Sequence, residues 1–277
     1  MKNRPVLILA VVIIGCLCFT GCKDPTKPDL LTSVESVEKY LAEQNGTDPD
    51  KPVQLVPEID ASEWKQLFAA IDRADKYVAL DLTQCSNIPS EFSGSNYGEK
   101  IVSLILPAEI TAIDEGACYN WTSLKEINLP AGITSINEGV FYGCTSLEQI
   151  TLPAITSIGR AAFAGCTSLK QITLPANLTT IGERAFGGCT ALREIDIPAS
   201  VTTIGVEAFV GCSNLTKLIC RAETPPELVI DNMLHKGGQF DRTASDFWIG
   251  VTNDSYYAYK AAWSEYADNI AVAGGLY

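Results

Sequence analysis

The chain has 277 residues, enough for one or two domains with a sizeable core, and 47% hydrophobic against 19% charged residues place it among globular proteins. With 33 acidic and 20 basic side chains the formal charge is −13, and it becomes more negative if Lys2 and Arg4 leave with a leader. Such a surface repels phosphate backbones and anionic headgroups, which argues against nucleic acid as a partner and against electrostatic attachment to a membrane.

Lys2 and Arg4 precede an uncharged apolar run from Val6 to Phe19, closed by Thr20-Gly21-Cys22. A bilayer-spanning helix needs roughly twenty apolar residues, so this shorter run reads as the hydrophobic region of a signal peptide. The ending FTGC resembles the lipobox of bacterial lipoproteins, with Phe19 where Leu is usual. That resemblance implies cleavage before Cys22 and acylation of its thiol; cleavage without lipid attachment is the alternative. Several acyl chains would anchor the protein durably, where one is marginal. Lys23 follows Cys22, whereas Asp at that place is an inner-membrane retention signal in enteric bacteria, so an outer-membrane or surface destination is expected.

A helix is predicted over Thr32 to Gln44, with Thr32 and Glu35 spaced as a capping box and Val34, Val37 and Leu41 along one face. A polar, Pro-containing link follows at 46 to 52. Trp64, Leu67, Phe68 and Ile71 then mark a second helix, and Val78, Leu80 and Leu82 alternate along a strand. Leu80 lies 24 residues before Leu104, nearly one period of what comes next, so 60 to 85 reads as a turn zero with a helix over the open end of a stack.

From Ile101 the sequence repeats. Blocks begin at Ile101, Leu124, Leu147, Leu169, Leu192 and Leu215, spaced 23, 23, 22, 23 and 23 residues apart, and five of them are complete. Each complete block opens with apolar residues at its first, fourth and sixth positions, as in Leu124, Ile127 and Leu129, and then a proline such as Pro130. Proline lacks the N–H that a ladder needs, so the strand ends there. Two further apolar positions follow, Ile133 and Ile136 in the second block, and then a turn of the form VFYGC or AFAGC. One unit cannot enclose a core, whereas stacked units bury one another's columns continuously. The first block exchanges large and small residues: Cys118 stands where the others have Phe141, Phe163, Phe186 and Phe209, and Trp121 stands where they have Cys144, Cys166, Cys189 and Cys212. A volume-conserving exchange inside one core is expected, with Trp121 buried.

The pattern LxxIxLPxxIxxIxxxAFxGCxx resembles the BspA-type, or Treponema-type, class of bacterial leucine-rich repeats over about 101 to 220. The resemblance implies a repeat solenoid, a right-handed superhelix of short stacked strands with few true helices and helical caps at both ends. It also implies a secreted or surface-anchored protein with an adhesive role toward host proteins or other bacteria. The expected organisation is a signal peptide at 1–21, a lipid-anchored tether with one helix at 22–59, an N-terminal cap at 60–100, repeats at 101–220 and a C-terminal cap at 221–277. In that last cap Tyr259, Trp263 and Tyr266 are expected on a helix facing the stack, and the polar stretch 231 to 246 as a mobile loop.

Three readings of the recurring cysteines compete. Stacking sets equivalent residues about 4.8 Å apart in a line, which suits no tetrahedral zinc site. Neighbouring disulfides would need parallel Cβ vectors to bend toward one another. Buried free thiols acting as small apolar residues are favoured. Catalysis has little to work with, since the one histidine, His235, stands in a polar stretch and no paired carboxylates or phosphate-binding glycine loop is evident. No enzyme activity, metal or cofactor is expected.

In a strand LxxIxL the third and fifth positions point away from the core. After Ser103 and Ile105 they read Glu126 and Asn128, Gln149 and Thr151, Gln171 and Thr173, Glu194 and Asp196. These eight are the candidate partner-binding residues for a protein or glycan ligand; a solvated face without a ligand is the competing reading. A second candidate is the C-terminal cap, where Trp248, Tyr256 and Tyr257 could stack on a glycan. A surface adhesin is therefore expected, with a structural or assembly component of the outer envelope as the alternative.

Overall fold

The apolar columns of the repeat become the interior of a stack held by backbone hydrogen bonds on three sides. The structure is a computed structural model. It describes residues 31–87, 89, 91–92, 97–228 and 248–272. The leader, Cys22, His235 and the stretch 231 to 246 lie outside the described residues.

On the first side every strand pairing is parallel. Val53–Leu55, Val78–Asp81, Ile101–Ile105 and Glu126–Asn128 form one four-stranded sheet, and Glu194–Ile197, Lys217–Cys220, Trp248–Val251 and Ile270–Val272 form another. In sequence between them, the third and fourth blocks pair with each other through an isolated bridge, Thr151 to Thr173. The register follows the repeat, with Leu104 opposite Ile127 and Ile195 opposite Leu218. Leu80 pairs with Leu104, as their near-period spacing predicts. The second side stacks Ser135–Ile136, Ser157–Ile158, Thr180–Ile181, Thr203–Ile204 and Glu227–Leu228. On the third side the N–H groups of Phe141, Phe163 and Phe186 each donate over 2.8 Å to Ala162, Ala185 and Ala208 in the next turn.

Inside, Phe141, Phe163, Phe186 and Phe209 are fully buried and stacked. Successive ring centroids lie 5.3, 5.4 and 5.5 Å apart, with interplanar angles of 19°, 2° and 2°. Removing each ring from water stabilises the fold by about 1.5–3 kcal/mol. Trp121 is buried, as expected from the exchange with Cys118, but its ring neighbours are Phe68 at 5.6 Å and Phe92 at 6.5 Å.

Two positions in each turn adopt left-handed backbone. The first is Gly116 and Gly139, then Ala161, Arg184 and Glu207, the three non-glycines at φ of 50°, 50° and 53°. The second is Asn120 and then Gly143, Gly165, Gly188 and Gly211, at φ between 57° and 75°. Only glycine, or asparagine at lower cost than other residues, takes up this conformation readily.

The N-terminal segment is more deeply integrated than a tether. Leu31, Val37, Leu41, Val53, Leu55 and Ile59 are all buried, and Val53–Leu55 pairs with Val78–Asp81, one turn beyond the expected turn zero. Helix α1, Val34–Ala42, is capped by Ser33 and Ser36, each hydroxyl accepting the other's backbone N–H at 3.1 Å. This box replaces the expected Thr32 and Glu35 pair, because a serine at each position brings both hydroxyls within reach. Helix α2, Trp64–Ala74, buries Trp64, Leu67, Phe68 and Ile71 as its spacing predicts, and Arg73 pairs with Glu38 of α1.

At the other end, helix α3 spans only Tyr256–Ala262 and passes into a 3-10 turn at Ser264–Asn269. Tyr259 lies on α3, while Trp263 marks its end and Tyr266 sits in the following turn. Tyr259 and Trp263 are nonetheless buried, donating to the carbonyls of Ala222 at 3.2 Å and Pro226 at 3.0 Å. These bonds satisfy the polar ends of two large apolar rings.

Candidate binding face

Alternation along each strand sends the first, fourth and sixth positions inward and leaves the third and fifth outside. Glu126, Asn128, Gln149, Thr151, Gln171, Thr173, Glu194 and Asp196 are all exposed, and Thr151 and Thr173 bridge between neighbouring turns. Ile105 adds an exposed aliphatic side chain at the N-terminal end.

The face is not uniformly acidic. In the sixth block the same two columns carry Lys217 and Ile219, and Arg221 follows shortly after. Arg221 grips Asp196 with Nε at 2.9 and 3.2 Å and Nη2 at 2.6 Å, while Lys217 Nζ lies 3.5 Å from Glu194. The hydrogen bond from Arg221 to Asp196 raises the guanidinium pKa above its ordinary value. Around these pairs the surface forms a groove of 510 Å³ lined by residues from Gln171 to Arg221. That size falls within the range of small-ligand clefts.

Trp248, which the sequence groups with the cap, belongs to this face. The parallel pairing sets it opposite Lys217, whose Nζ lies 5.8 Å from its ring centroid, and sets Gly250 opposite Ile219. Tyr257 is exposed on α3, and Tyr256 packs edge-on against it.

Sequence reasoning missed an aromatic pair on the third side. Tyr119 and Tyr142 follow the Phe position in the first two turns, stack at 4.8 Å with a 3° interplanar angle, and are 46% and 38% exposed. The signal was present in the column Tyr119, Tyr142, Ala164, Gly187, Val210, where large rings stop after two turns.

All seven cysteines among the described residues are free and buried. Each repeat thiol donates to a carbonyl one turn back at the Phe position: Cys144 to Cys118, Cys166 to Phe141, Cys189 to Phe163 and Cys212 to Phe186, at 3.0 to 3.2 Å. Burial pushes the thiols up, to about 12 for Cys144 and Cys212. Such thiols stay protonated at neutral pH and are poor nucleophiles. Among the described residues no group of three His, Cys, Asp or Glu side chains is placed to hold a metal ion.

Residues 92–219 match the family model for the BspA type leucine rich repeat region in 6 copies, starting upstream of Ile101. Among solved structures, the chain is similar to the leucine-rich-repeat protein of T. pallidum, with 28% identity over 54% of this chain and 72% of that one and a TM-score of 0.43. It is also similar to a leucine-rich cell surface protein from Faecalibacterium prausnitzii, with 34% identity over 50% of this chain and 43% of that one and a TM-score of 0.39. A leucine-rich repeat protein from Bacteroides ovatus shows 22% identity over 55% of this chain and 56% of that one, with a TM-score of 0.35. The chain thus spans about half the length of the last two proteins. A search of curated protein sequences gave no match. Residues 92–219, just under half of the chain, are thus similar to the BspA type leucine rich repeat region.

Proposed function

We propose that the chain is a lipoprotein anchored through Cys22 at the outer membrane or cell surface, where its solenoid binds a protein or glycan ligand of host or bacterial origin. The observation that carries this reading is the exposed strand face, on which eight outward positions from four consecutive turns form one polar surface. A solenoid offers such a surface because its curvature and regular rise present equivalent side chains in rows. The likeness of the repeats to the BspA type supports a binding role, and the lipobox-like FTGC supports the anchor.

Binding and location are tested separately. Leaderless chain carrying Cys22→Ser is assayed against immobilised matrix proteins and glycans, beside a variant with Glu126, Gln149, Gln171 and Glu194 all changed to Ala. The expected result is a ligand whose capture falls at least tenfold in the variant; equal capture by both would remove the strand face from the account. Protease treatment of intact cells is expected to digest the protein, whereas full protection would favour a structural role facing the periplasm.

A further inference from the structure

The strand face and the aromatic C-terminal cap, separate candidates in the sequence, meet in the fold. Across the last turns the third-position row runs Gln171, Glu194, Lys217, Trp248, and the fifth-position row runs Thr173, Asp196, Ile219, Gly250, Ala271. The first row is polar and ends on an indole that is only partly buried. The second passes from polar to apolar, through a buried Gly250 to the exposed Ala271.

The charges at this end are already matched within the chain. Glu194 is paired with Lys217 and Asp196 with Arg221, and all four side chains keep substantial solvent exposure. An anionic or cationic ligand would have to break one of these pairs and leave a like charge behind. A neutral ligand that both donates and accepts hydrogen bonds can bind to the pairs as they stand. A pyranose has that character: its hydroxyls match carboxylate and guanidinium groups, and its C–H face suits an aromatic ring.

We propose that Trp248, Asp196, Arg221, Glu194 and Lys217 form a subsite for a neutral pyranose unit of a glycan. The sugar lays its C–H face on the indole, and its hydroxyls bond to the two ion pairs. This inference rests on the strand-face reading and deepens it by naming the ligand class.

The test is affinity electrophoresis of the leaderless Cys22→Ser chain through gels containing mannan, galactan, starch or xyloglucan, with polygalacturonate as the anionic comparison. At least one neutral polysaccharide is expected to retard the protein, and polygalacturonate is not. Trp248→Ala is expected to weaken the retardation at least tenfold, and Trp248→Phe to keep most of it. Because Trp248 is partly buried, the exposed double variant Asp196→Ala with Arg221→Ala gives an independent reading, also at least tenfold weaker. Lack of retardation by all four neutral polysaccharides, or unchanged retardation in the double variant, overturns the proposal. If matrix proteins are captured through Glu126 and Gln149 while no polysaccharide binds, the ligand class falls and the strand-face reading stands. If neither proteins nor polysaccharides bind, both fall.

Discussion

In the turns from Leu124 onward, Phe141, Phe163, Phe186 and Phe209 meet copies of themselves, each ring lying on the last. The preceding turn carries Cys118 in that column and Trp121 in the cysteine column, where the indole meets Phe68 of α2 and Phe92. A Cβ on Gly98 would fall within the Trp121 ring, so that neighbour is also shaped to the indole. The consensus residue is thus the better choice only where the neighbouring turn is another repeat. At the boundary, complementarity to a non-repeating partner takes its place.

The largest expected effect separates the cysteine column from the tryptophan that interrupts it. Cys144 and Cys212 rise from 9.0 to about 12 through burial, whereas in the unfolded chain they ionise near the lower value. Their folded pKa is raised, so the stability they contribute is complete below pH 9 and is lost as pH climbs toward 12. The loss is about 1.4 kcal/mol per thiol per pH unit. Urea denaturation at pH 8 and pH 10.5 should show the wild type losing more stability than Cys144→Ala with Cys212→Ala; parallel losses would contradict the burial argument.

Within the regular turns, Phe163→Ala removes a ring packed on both sides and should cost about 3–5 kcal/mol in the same assay. Restoring the consensus at the boundary, by Cys118→Phe with Trp121→Cys, should destabilise by about 1–3 kcal/mol, because the new side chains no longer fit Phe68 and Phe92. A stabilised double variant would end the boundary interpretation. The smallest effects concern the left-handed positions. Gly139→Ala should cost about 1 kcal/mol, and Ala161→Gly, at φ of 50°, should gain somewhat less, both read as midpoint shifts in urea.

The columns were legible because their period is the physical repeat of the stack, and the Phe ladder follows from it directly. Features that depend on residues outside the period were not. The strand Val53–Leu55 is three residues long and follows a polar link, so it carries no periodicity, and its segment reads as a tether. Trp248 lies 31 residues after its partner Lys217, well beyond one period, and only strand pairing places it on the binding face. Lys217 and Ile219 continue the outward columns into the sixth block and were available to the same reasoning. Arg221 was not, because it stands at the position that the complete blocks give to proline.

The central claim is that residues one period apart are direct neighbours, and a double-mutant cycle on Phe163 and Phe186 tests it most directly. Stacked rings should show a coupling of about 0.5–1.5 kcal/mol, while Phe141 and Phe186, two turns apart, should show almost none. Equal coupling in both pairs, or none in either, would contradict the stack.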